Sequence, residues 1–182
     1  KRVLDYGSGK CKTASRLRKE TKADVLVYDI DKELLDNRCG DFQYYQPNDS
    51  SFNQSFDVAL LNLVLCEVEN ATVQNILSNI STTLRRGGSL VISVCNPDFS
   101  HVPNTEFQNR HSIPISNSQE DVLTKTSRSS GSVKTEFHRP TSKYLEMFLD
   151  GGFTLVKTID TDGTNLDTLE NASDFKVFIL KK

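Results

Sequence analysis

Long apolar runs, proline, glycine and tryptophan are all scarce in this sequence. Its 182 residues include five Pro, nine Gly and no Trp, which excludes collagen-like and proline-rich architectures. The longest apolar stretch, from Val58 to Val68, is interrupted by Asn62 and Glu67. A membrane-spanning helix needs roughly 20 consecutive apolar residues. We therefore predict a chain that does not span a membrane.

An excess of charge of either sign is also missing. The chain has 22 Lys and Arg against 24 Asp and Glu, a net charge of −2. Domains that grip nucleic acid are usually strongly basic, so this balance argues against nucleic acid as a partner. A basic cluster between Lys10 and Lys22 is interpreted as a solvated helix face. The 36% of hydrophobic residues, with 10 Phe, are enough for one globular core.

Paired cysteine motifs are absent. The four cysteines have no CxxC pair and no histidine at metal-ligand spacing: Cys11, Cys39, Cys66 and Cys95. This spacing predicts neither a metal site nor a disulfide framework. Reduced cysteines, together with the lack of a signal-peptide pattern, predict a cytoplasmic protein.

Apolar runs alternate with helical stretches along the first half, which is typical of βαβ units and a parallel sheet. We predict strands at 2–6, 25–29, 42–45, 56–63, 89–94, 153–159 and 175–180. We predict helices at 13–21, 32–37, 73–84 and 141–150, the third of them ending in a basic last turn and a glycine stop at 85–88. No repeat or second core is present, so residues 1–182 are predicted to form a single domain.

The segment after Asn96-Pro97 has a different character. Residues 98–135 are rich in Ser, Asn, Thr and charge, with little periodicity before Val133 to Phe137. Long irregular segments inside a compact domain are usually functional. We therefore predict that residues 98–138 form a substrate-side insert or lid.

Two features indicate a ligand site at the carboxyl edge of the predicted sheet. The first strand runs through Asp5 into a turn containing Gly7 and Gly9, followed by a helix whose free N–H groups face that turn. Asp29 ends the second strand, 20 positions after Gly9. This spacing in the sequence is typical of a carboxylate that accepts hydrogen bonds from ribose hydroxyls. The two features together predict a nucleoside ligand.

Motif residues that the sequence lacks indicate which nucleoside-containing cofactor would bind here. Lys12 stands where a dinucleotide-binding fingerprint needs its third glycine, and no GxxxxGK[ST] loop is present. Asp5 would repel a pyrophosphate and suits a ligand with an ammonium group. These points favour S-adenosyl-L-methionine.

Five motifs in order resemble those of the class I S-adenosylmethionine-dependent methyltransferases, over nearly the whole chain. They are Leu4-Asp5-Tyr6-Gly7-Ser8-Gly9, Tyr28-Asp29-Ile30-Asp31, Gly40-Asp41-Phe42, Ser55-Phe56-Asp57-Val58 with the strand behind it, and Leu84-Arg85-Arg86-Gly87-Gly88 with the next strand. The third resembles the adenine-contacting turn that follows the third strand. The resemblance implies a Rossmann-like, doubly wound α/β fold. Its seven-stranded sheet would be mostly parallel, with an antiparallel last strand.

The resemblance also implies a set of cofactor-binding residues: Asp5, Gly7, Gly9, Asp29, Ile30, Asp41, Phe42 and Asn62. Asp5 would hold the methionine ammonium, Asp29 would take the ribose hydroxyls, and Asp41 would accept from the adenine amino group. Asn62 would face the methionine end through its carbonyl. Cys11 replaces the third glycine of the family motif. Family members usually carry helices before the first strand, so we expect the substrate pocket to be incomplete in this chain.

Methyl transfer needs a base only when the acceptor must lose a proton, as a hydroxyl does. The candidate bases are His138, His111 and His101. Cys66 and Cys95 are interpreted as small buried residues, because neither has the Pro-Cys or Thr-Cys context of a cytosine methyltransferase nucleophile.

These features predict methylation of a small-molecule acceptor, with O-methylation favoured. The alternatives are an RNA or tRNA methyltransferase that uses the basic helix, and a catalytically silent methyltransferase-like binding module. The oligomeric state does not follow from the sequence.

Overall fold

A computed structural model describes residues 1–97, 107–108, 121–127, 131, 133–161, 163–164, 171–172 and 175–182. The strands are β1 Arg2–Tyr6, β2 Asp24–Tyr28, β3 Gln43–Tyr44, β4 Phe56–Asn62, β5 Leu84–Cys95, β6 Phe107–Gln108, β7 Asp121–Ser127, β8 Val133–His138, β9 Thr154–Asp160, β10 Gly163–Thr164, β11 Asn171–Ala172 and β12 Phe175–Lys181. The helices are α1 Lys12–Thr21, α2 Lys32–Arg38, α3 Asn70–Thr83 and α4 Thr141–Asp150, and short 3-10 turns lie at Ser50–Phe52 and Leu65–Glu67.

The main sheet has seven strands in the order β3-β2-β1-β4-β5-β12-β9. The first five strands are parallel, whereas β12 is antiparallel to both of its neighbours. The predicted fold class is therefore confirmed. The strand order reverses between β1 and β4, and in open α/β sheets this switch point is where ligands bind.

Helices cover both faces of the sheet. On β1, Leu4 packs into the larger core with residues of α3 and α4, while its neighbour Val3 packs into the smaller core with residues of α1 and α2. Successive side chains of a strand point to opposite faces, so a strand buried on both faces must be apolar throughout. This requirement explains the apolar runs at residues 25–27 of β2 and 58–61 of β4.

The boundary between α3 and β5 differs from the prediction. The helix ends at Thr83, and residues 85–88 belong to β5 rather than to a last helical turn. Arg85 forms an ion pair with Asp57 of β4 at 2.7 Å. A Cβ added to the buried Gly88 would lie only 2.9 Å from the Arg85 carbonyl oxygen. Contacts with the neighbouring strand therefore override the local helix-end signal of two arginines and two glycines.

Two cysteines that were predicted to be reduced are joined instead. Cys11 and Cys39, which are 28 positions apart in the sequence, form a disulfide. Cys11 directly precedes α1 and Cys39 directly follows α2, and both pack in the smaller core. Sequence spacing alone did not reveal this proximity. The prediction of a cytoplasmic location loses the support that it drew from four reduced cysteines.

Three strands of the predicted insert form a second, antiparallel sheet in the order β6-β7-β8. Six residue pairs join β7 to β8, from Asp121 opposite His138 to Thr126 opposite Val133. An assignment of this segment as a lid stays a prediction. Over the described ranges of the chain, no helix is long and apolar enough to cross a membrane.

Candidate functional site

A cavity of about 830 Å³ lies at the carboxyl ends of β1, β2 and β4. It therefore occupies the switch point of the sheet, where a ligand site is expected. Its lining comes from the turn after β1, the segment after β2, the end of β4 with the turn behind it, and one face of α3: Tyr6, Gly7, Ser8, Gly9, Lys10, Lys12, Thr13, Tyr28, Asp29, Ile30, Asp31, Leu34, Asn62, Leu63, Val64, Glu67, Val68, Thr72, Asn75, Ile76 and Asn79.

The glycine turn is held tightly against the next strand. The backbone amides of Gly7 and Ser8 both donate to the carbonyl oxygen of Tyr28, at 2.7 and 2.9 Å. Gly7 has φ +77°, and a Cβ added there would lie 2.3 Å from Cγ2 of Val64. This position therefore requires glycine both for its backbone conformation and for the close approach of Val64. Around Gly9, with φ +53°, an added Cβ would meet open space.

Asp29 ties the turn to the segment after β2. Its carboxylate accepts from the backbone amide of Gly9 at 2.8 Å and from that of Asp31 at 3.1 Å. Asp31 in turn accepts from the Leu34 amide at 2.9 Å, so it caps α2. Ile30 between them is 88% exposed and lines the cavity. The cavity lining thus contains the carboxylate of Asp29 beside the apolar side chain of Ile30. A carboxylate suits a ribose, and an apolar side chain suits the base attached to it.

Asp5 lies beneath the turn and is only 1% exposed. Neither of its carboxylate oxygens has a partner with hydrogen-bond geometry. Burial raises the pKa of this carboxyl to about 6; the Ala14 backbone amide opposes the shift, and the charge of Asp29 adds to it. Asp5 does not line the cavity directly. A buried carboxylate with unused acceptors is nevertheless suited to a cationic group or to a bridging water.

Asn62 ends β4 and is exposed in the cavity. Its side-chain oxygen accepts from the Ser93 hydroxyl at 2.5 Å, and that hydroxyl accepts from the Leu63 amide at 3.2 Å. Ser93 of β5 therefore orients the side-chain amide of Asn62. Leu63, with φ +61°, turns the chain out of the strand. The role of Asn62 at the methionine end of the cofactor stays a prediction.

The structure does not place Asp41 and Phe42 in this site. The Gly40-Asp41-Phe42 turn precedes β3, whereas the prediction put it after the third strand. Asp41 is exposed, and its carbonyl accepts from Arg18 at 3.0 Å; the Arg18 guanidinium lies 4.0 Å from the centre of the Phe42 ring. Neither residue lines the cavity. Strand β3 is also shorter than the predicted strand at 42–45, since only two of its residues pair with β2.

The residues that follow β3 lie closer to Asp29. Tyr45 and Gln46 line a small adjoining cavity of about 110 Å³ together with Tyr28 and Asp29. The Tyr45 amide donates to the Val27 carbonyl at 2.9 Å, which fixes the start of this segment at the sheet edge. Tyr45 and Gln46, rather than Asp41, therefore share a cavity lining with Asp29.

Of the three candidate bases, only His138 lies within the described residues; His101 and His111 lie outside them. His138 ends β8 and is half-buried. Its Nε2 lies 3.1 Å from the carbonyl oxygen of Pro97. A hydrogen bond from Nε2–H leaves Nδ1 as the acceptor. His138 does not line the large cavity.

An aromatic and amide cluster at the floor of the cavity was not predicted from the sequence. The ring centres of Tyr6 and Tyr28 are 4.5 Å apart. Burial and then Tyr28 raise the pKa of the Tyr6 hydroxyl well above its usual range, while the Asn79 amide opposes that shift. The spacing of Thr72, Asn75 and Asn79 could have indicated a polar face of α3, because residues three or four positions apart share one face of a helix.

The sheet order, the glycine turn at the switch point and the carboxylate at the end of β2 define a class I methyltransferase fold with a nucleoside-cofactor site. The model of the family described as a methyltransferase domain matches residues 1–157. The chain belongs to this methyltransferase family. A comparison with curated protein sequences gave no match.

Several solved structures share the fold. A methyltransferase from Methanosarcina mazei has a TM-score of 0.70 at 18% identity, over 100% of this chain and 92% of that one. One from Mesorhizobium loti has a TM-score of 0.67 at 17% identity, over 100% and 90%. The 1,6-didemethyltoxoflavin-N1-methyltransferase of Burkholderia thailandensis, with 1,6-didemethyltoxoflavin and S-adenosylhomocysteine bound, has a TM-score of 0.60 at 16% identity, over 100% and 70%. At these identities the likeness concerns the fold alone.

The side chains present fit S-adenosylmethionine. The orphaned carboxylate of Asp5 suits the ammonium group, and the open space at Gly9 lets a ligand approach the backbone. Asp29 still has acceptor capacity, because a carboxylate offers about four lone-pair positions and two are used.

Proposed function

We propose that this methyltransferase acts on a small-molecule acceptor, with an oxygen acceptor favoured. The observation that carries the proposal is the extent of the cavity. It runs past the glycine turn to the face of α3 formed by Thr72, Asn75 and Asn79. Its volume of about 830 Å³ falls within the range of roughly 300–1,000 Å³ that is typical of small-molecule pockets.

The charges along the cavity support a small acceptor over a nucleic acid. Lys10 and Lys12 are balanced by Asp29, Asp31 and Glu67 in the same lining. A groove that tracks a phosphate backbone is instead predominantly positive.

Part of the basic face of α1 is also engaged within the protein. Arg16 pairs with Glu20 at 2.9 Å, and Arg18 donates to the Asp41 carbonyl. These contacts support the interpretation of the basic cluster as an ordinary solvated helix face.

In the proposed mechanism, the chain mainly binds and orients. Asp29 and the Gly9 backbone would hold the nucleoside portion, and Asp5 would stabilise the ammonium group, directly or through a water. When bound, the cofactor supplies a methyl group on a sulfonium, which is already a good leaving group. Positioning the acceptor in line with that methyl group is then the main contribution of the protein.

An oxygen acceptor also requires a proton acceptor. We assign this role to His138, whose contact with the Pro97 carbonyl would fix the ring orientation and leave Nδ1 available. Because His138 does not line the large cavity, this assignment requires an acceptor that extends beyond that lining towards the end of β8. The small-molecule assignment draws further support from the Burkholderia enzyme, although the name of that enzyme specifies a nitrogen position. A cytoplasmic location remains part of the proposal.

The test is transfer of a labelled methyl group to three acceptor sets: hydroxylated small molecules, small amines and heteroaromatic nitrogens, and unmodified tRNA. We expect transfer to a hydroxylated compound, with loss of activity in the Asp29→Ala variant. A His138→Gln variant should lose turnover with oxygen acceptors while retaining cofactor affinity. Transfer to tRNA alone would overturn the proposal, as would tight cofactor binding with no acceptor methylated in any set.

A further inference from the structure

We propose that Cys66, Cys95 and Glu136 form a zinc-binding site beside the cofactor cavity. The two sulfur atoms and a carboxylate oxygen all lie within 4.8 Å of one another. All three side chains are buried, with 2%, 4% and 1% exposure respectively. The sequence spacing gave no indication of such a site, because the three residues come from distant parts of the chain.

The fold brings these residues together at the carboxyl edge of the sheet. Cys66 lies in the 3-10 turn after β4, and Cys95 is the last residue of β5. Because β4 and β5 are parallel neighbours, the segments at their carboxyl ends lie side by side. Glu136 comes from β8 of the second sheet, which packs against the turn that contains Cys66.

A buried arginine fixes the turn that carries Cys66. Arg139 is 0% exposed. Its guanidinium donates to the carbonyl oxygens of Leu65 and Val68 on either side of the cysteine, and to the side-chain oxygen of Asn70 at 2.6 Å. These bonds lock the end of β8 to the turn. The three ligand positions are therefore set by a rigid frame rather than by a loose loop.

The donor set selects the metal. Thiolate sulfur favours zinc over magnesium and calcium, which take oxygen ligands. Tetrahedral zinc, with bonds of ~2.3 Å to sulfur and ~2.1 Å to oxygen, places its ligand atoms ~3.5–3.8 Å apart. The observed upper limit of 4.8 Å leaves only small side-chain rotations to reach that geometry. Three protein ligands leave the fourth position for a water molecule.

The charges also balance when the metal is bound. Two thiolates and one carboxylate bring three negative charges, and a divalent ion with the guanidinium of Arg139 brings three positive ones. Buried charges persist only when they are compensated in this way. Binding releases protons from the thiols, so we expect zinc affinity to rise with pH.

Zinc at this site would join the second sheet to the main one. Cys66 is followed directly by Glu67, which lines the large cavity. The metal would thus hold β8 and the part of the cavity wall formed by Glu67 in one arrangement. This consequence does not depend on the identity of the methyl acceptor.

The test measures zinc in the 182-residue chain, dialysed under reducing conditions against zinc chloride and then against metal-free buffer. Elemental analysis and native mass spectrometry should find one zinc per chain. Substituting Co²⁺ should give the thiolate-to-cobalt charge-transfer absorption. Cys95→Ser and Glu136→Gln should each weaken zinc binding by more than about tenfold, since losing even an outer hydrogen-bond partner of a ligand costs 10–100-fold.

The matched control is Cys11→Ser/Cys39→Ser, which removes the other two cysteines and should retain the zinc. Circular dichroism shows whether each variant is folded. Should Cys95→Ser fail to fold, the cobalt spectrum of the wild-type chain still decides the question. A wild-type chain without zinc after loading would overturn the proposal. Full zinc retention by a folded Cys66→Ser/Cys95→Ser variant would do the same.

Discussion

Replacing Asp5 with asparagine should have opposite effects on stability and on cofactor binding. In the free protein, the pKa of Asp5 lies at about 6 against an ordinary value of 3.8. Because the folded-state pKa is raised, the ionised carboxylate destabilises the fold above pH 6, and this cost disappears as the pH falls towards 4. Two pKa units correspond to roughly 3 kcal/mol. Asp5→Asn should therefore raise the free energy of unfolding at pH 8 by up to about 3 kcal/mol.

Cofactor binding should respond in the other direction. If the ionised Asp5 stabilises the ammonium group, lowering the pH from 7 to 5 protonates the carboxyl, and affinity should fall about tenfold. The Asp5→Asn variant should bind the cofactor more weakly at pH 7, and its affinity should change much less between pH 7 and pH 5. Isothermal titration calorimetry with S-adenosylhomocysteine at several pH values measures both effects, and urea unfolding gives the stabilities.

The matched control for Asp5 is Asp24→Asn, because Asp24 is exposed at the start of β2 and pairs with Arg2 at 3.3 Å. It should leave affinity and its pH dependence unchanged. Wild-type affinity that stays constant from pH 5 to 7 would refute the role of Asp5. So would an Asp5→Asn variant that binds as tightly as the wild type.

Three further predictions concern Asp29, the glycine turn and the disulfide beside it. Asp29→Ala should weaken cofactor binding by about 1.5–3 kcal/mol, the usual value of a hydrogen bond to a charged group, as measured by calorimetry. Gly7→Ala should destabilise the fold by about 1–3 kcal/mol in urea unfolding, because its Cβ would meet Val64. Reducing the Cys11–Cys39 disulfide, which closes a loop of 28 positions, should cost about 3–4 kcal/mol in the same assay.

Each of these has its own control. Asp41→Ala should leave cofactor affinity intact, since Asp41 lies outside the cavity, and a loss equal to that of Asp29→Ala would contradict the placement. Val64→Ala should partly rescue Gly7→Ala; the absence of any rescue would assign the cost to the backbone conformation alone. For the disulfide, Cys11→Ser/Cys39→Ser should be no more stable under oxidising than under reducing conditions, whereas the wild type should be.

Local patterns predicted most elements of the fold. Alternating apolar runs and helical faces gave the parallel sheet, and helix 141–150 has the predicted bounds. Gly7, Gly9 and Asp29 were found because the turn and the strand end are local features with fixed spacing. The predicted end of α3 was wrong, because residues 85–88 are held in β5 by the ion pair of Arg85 with Asp57 and by backbone hydrogen bonds of Gly87 and Gly88 with Lys182. No local signal records contacts between such distant residues.

What the sequence determined by itself is therefore the order of the elements, the glycine turn and the carboxylate after β2. Only the tertiary structure decided that Cys11 meets Cys39, that Asp41 lies away from the cavity, and that Cys66 and Cys95 converge on a glutamate of the second sheet. The physical reason is the range of the forces involved. Helix and strand periodicity act between residues a few positions apart, whereas the meeting of distant side chains depends on which strands become neighbours in the folded sheet.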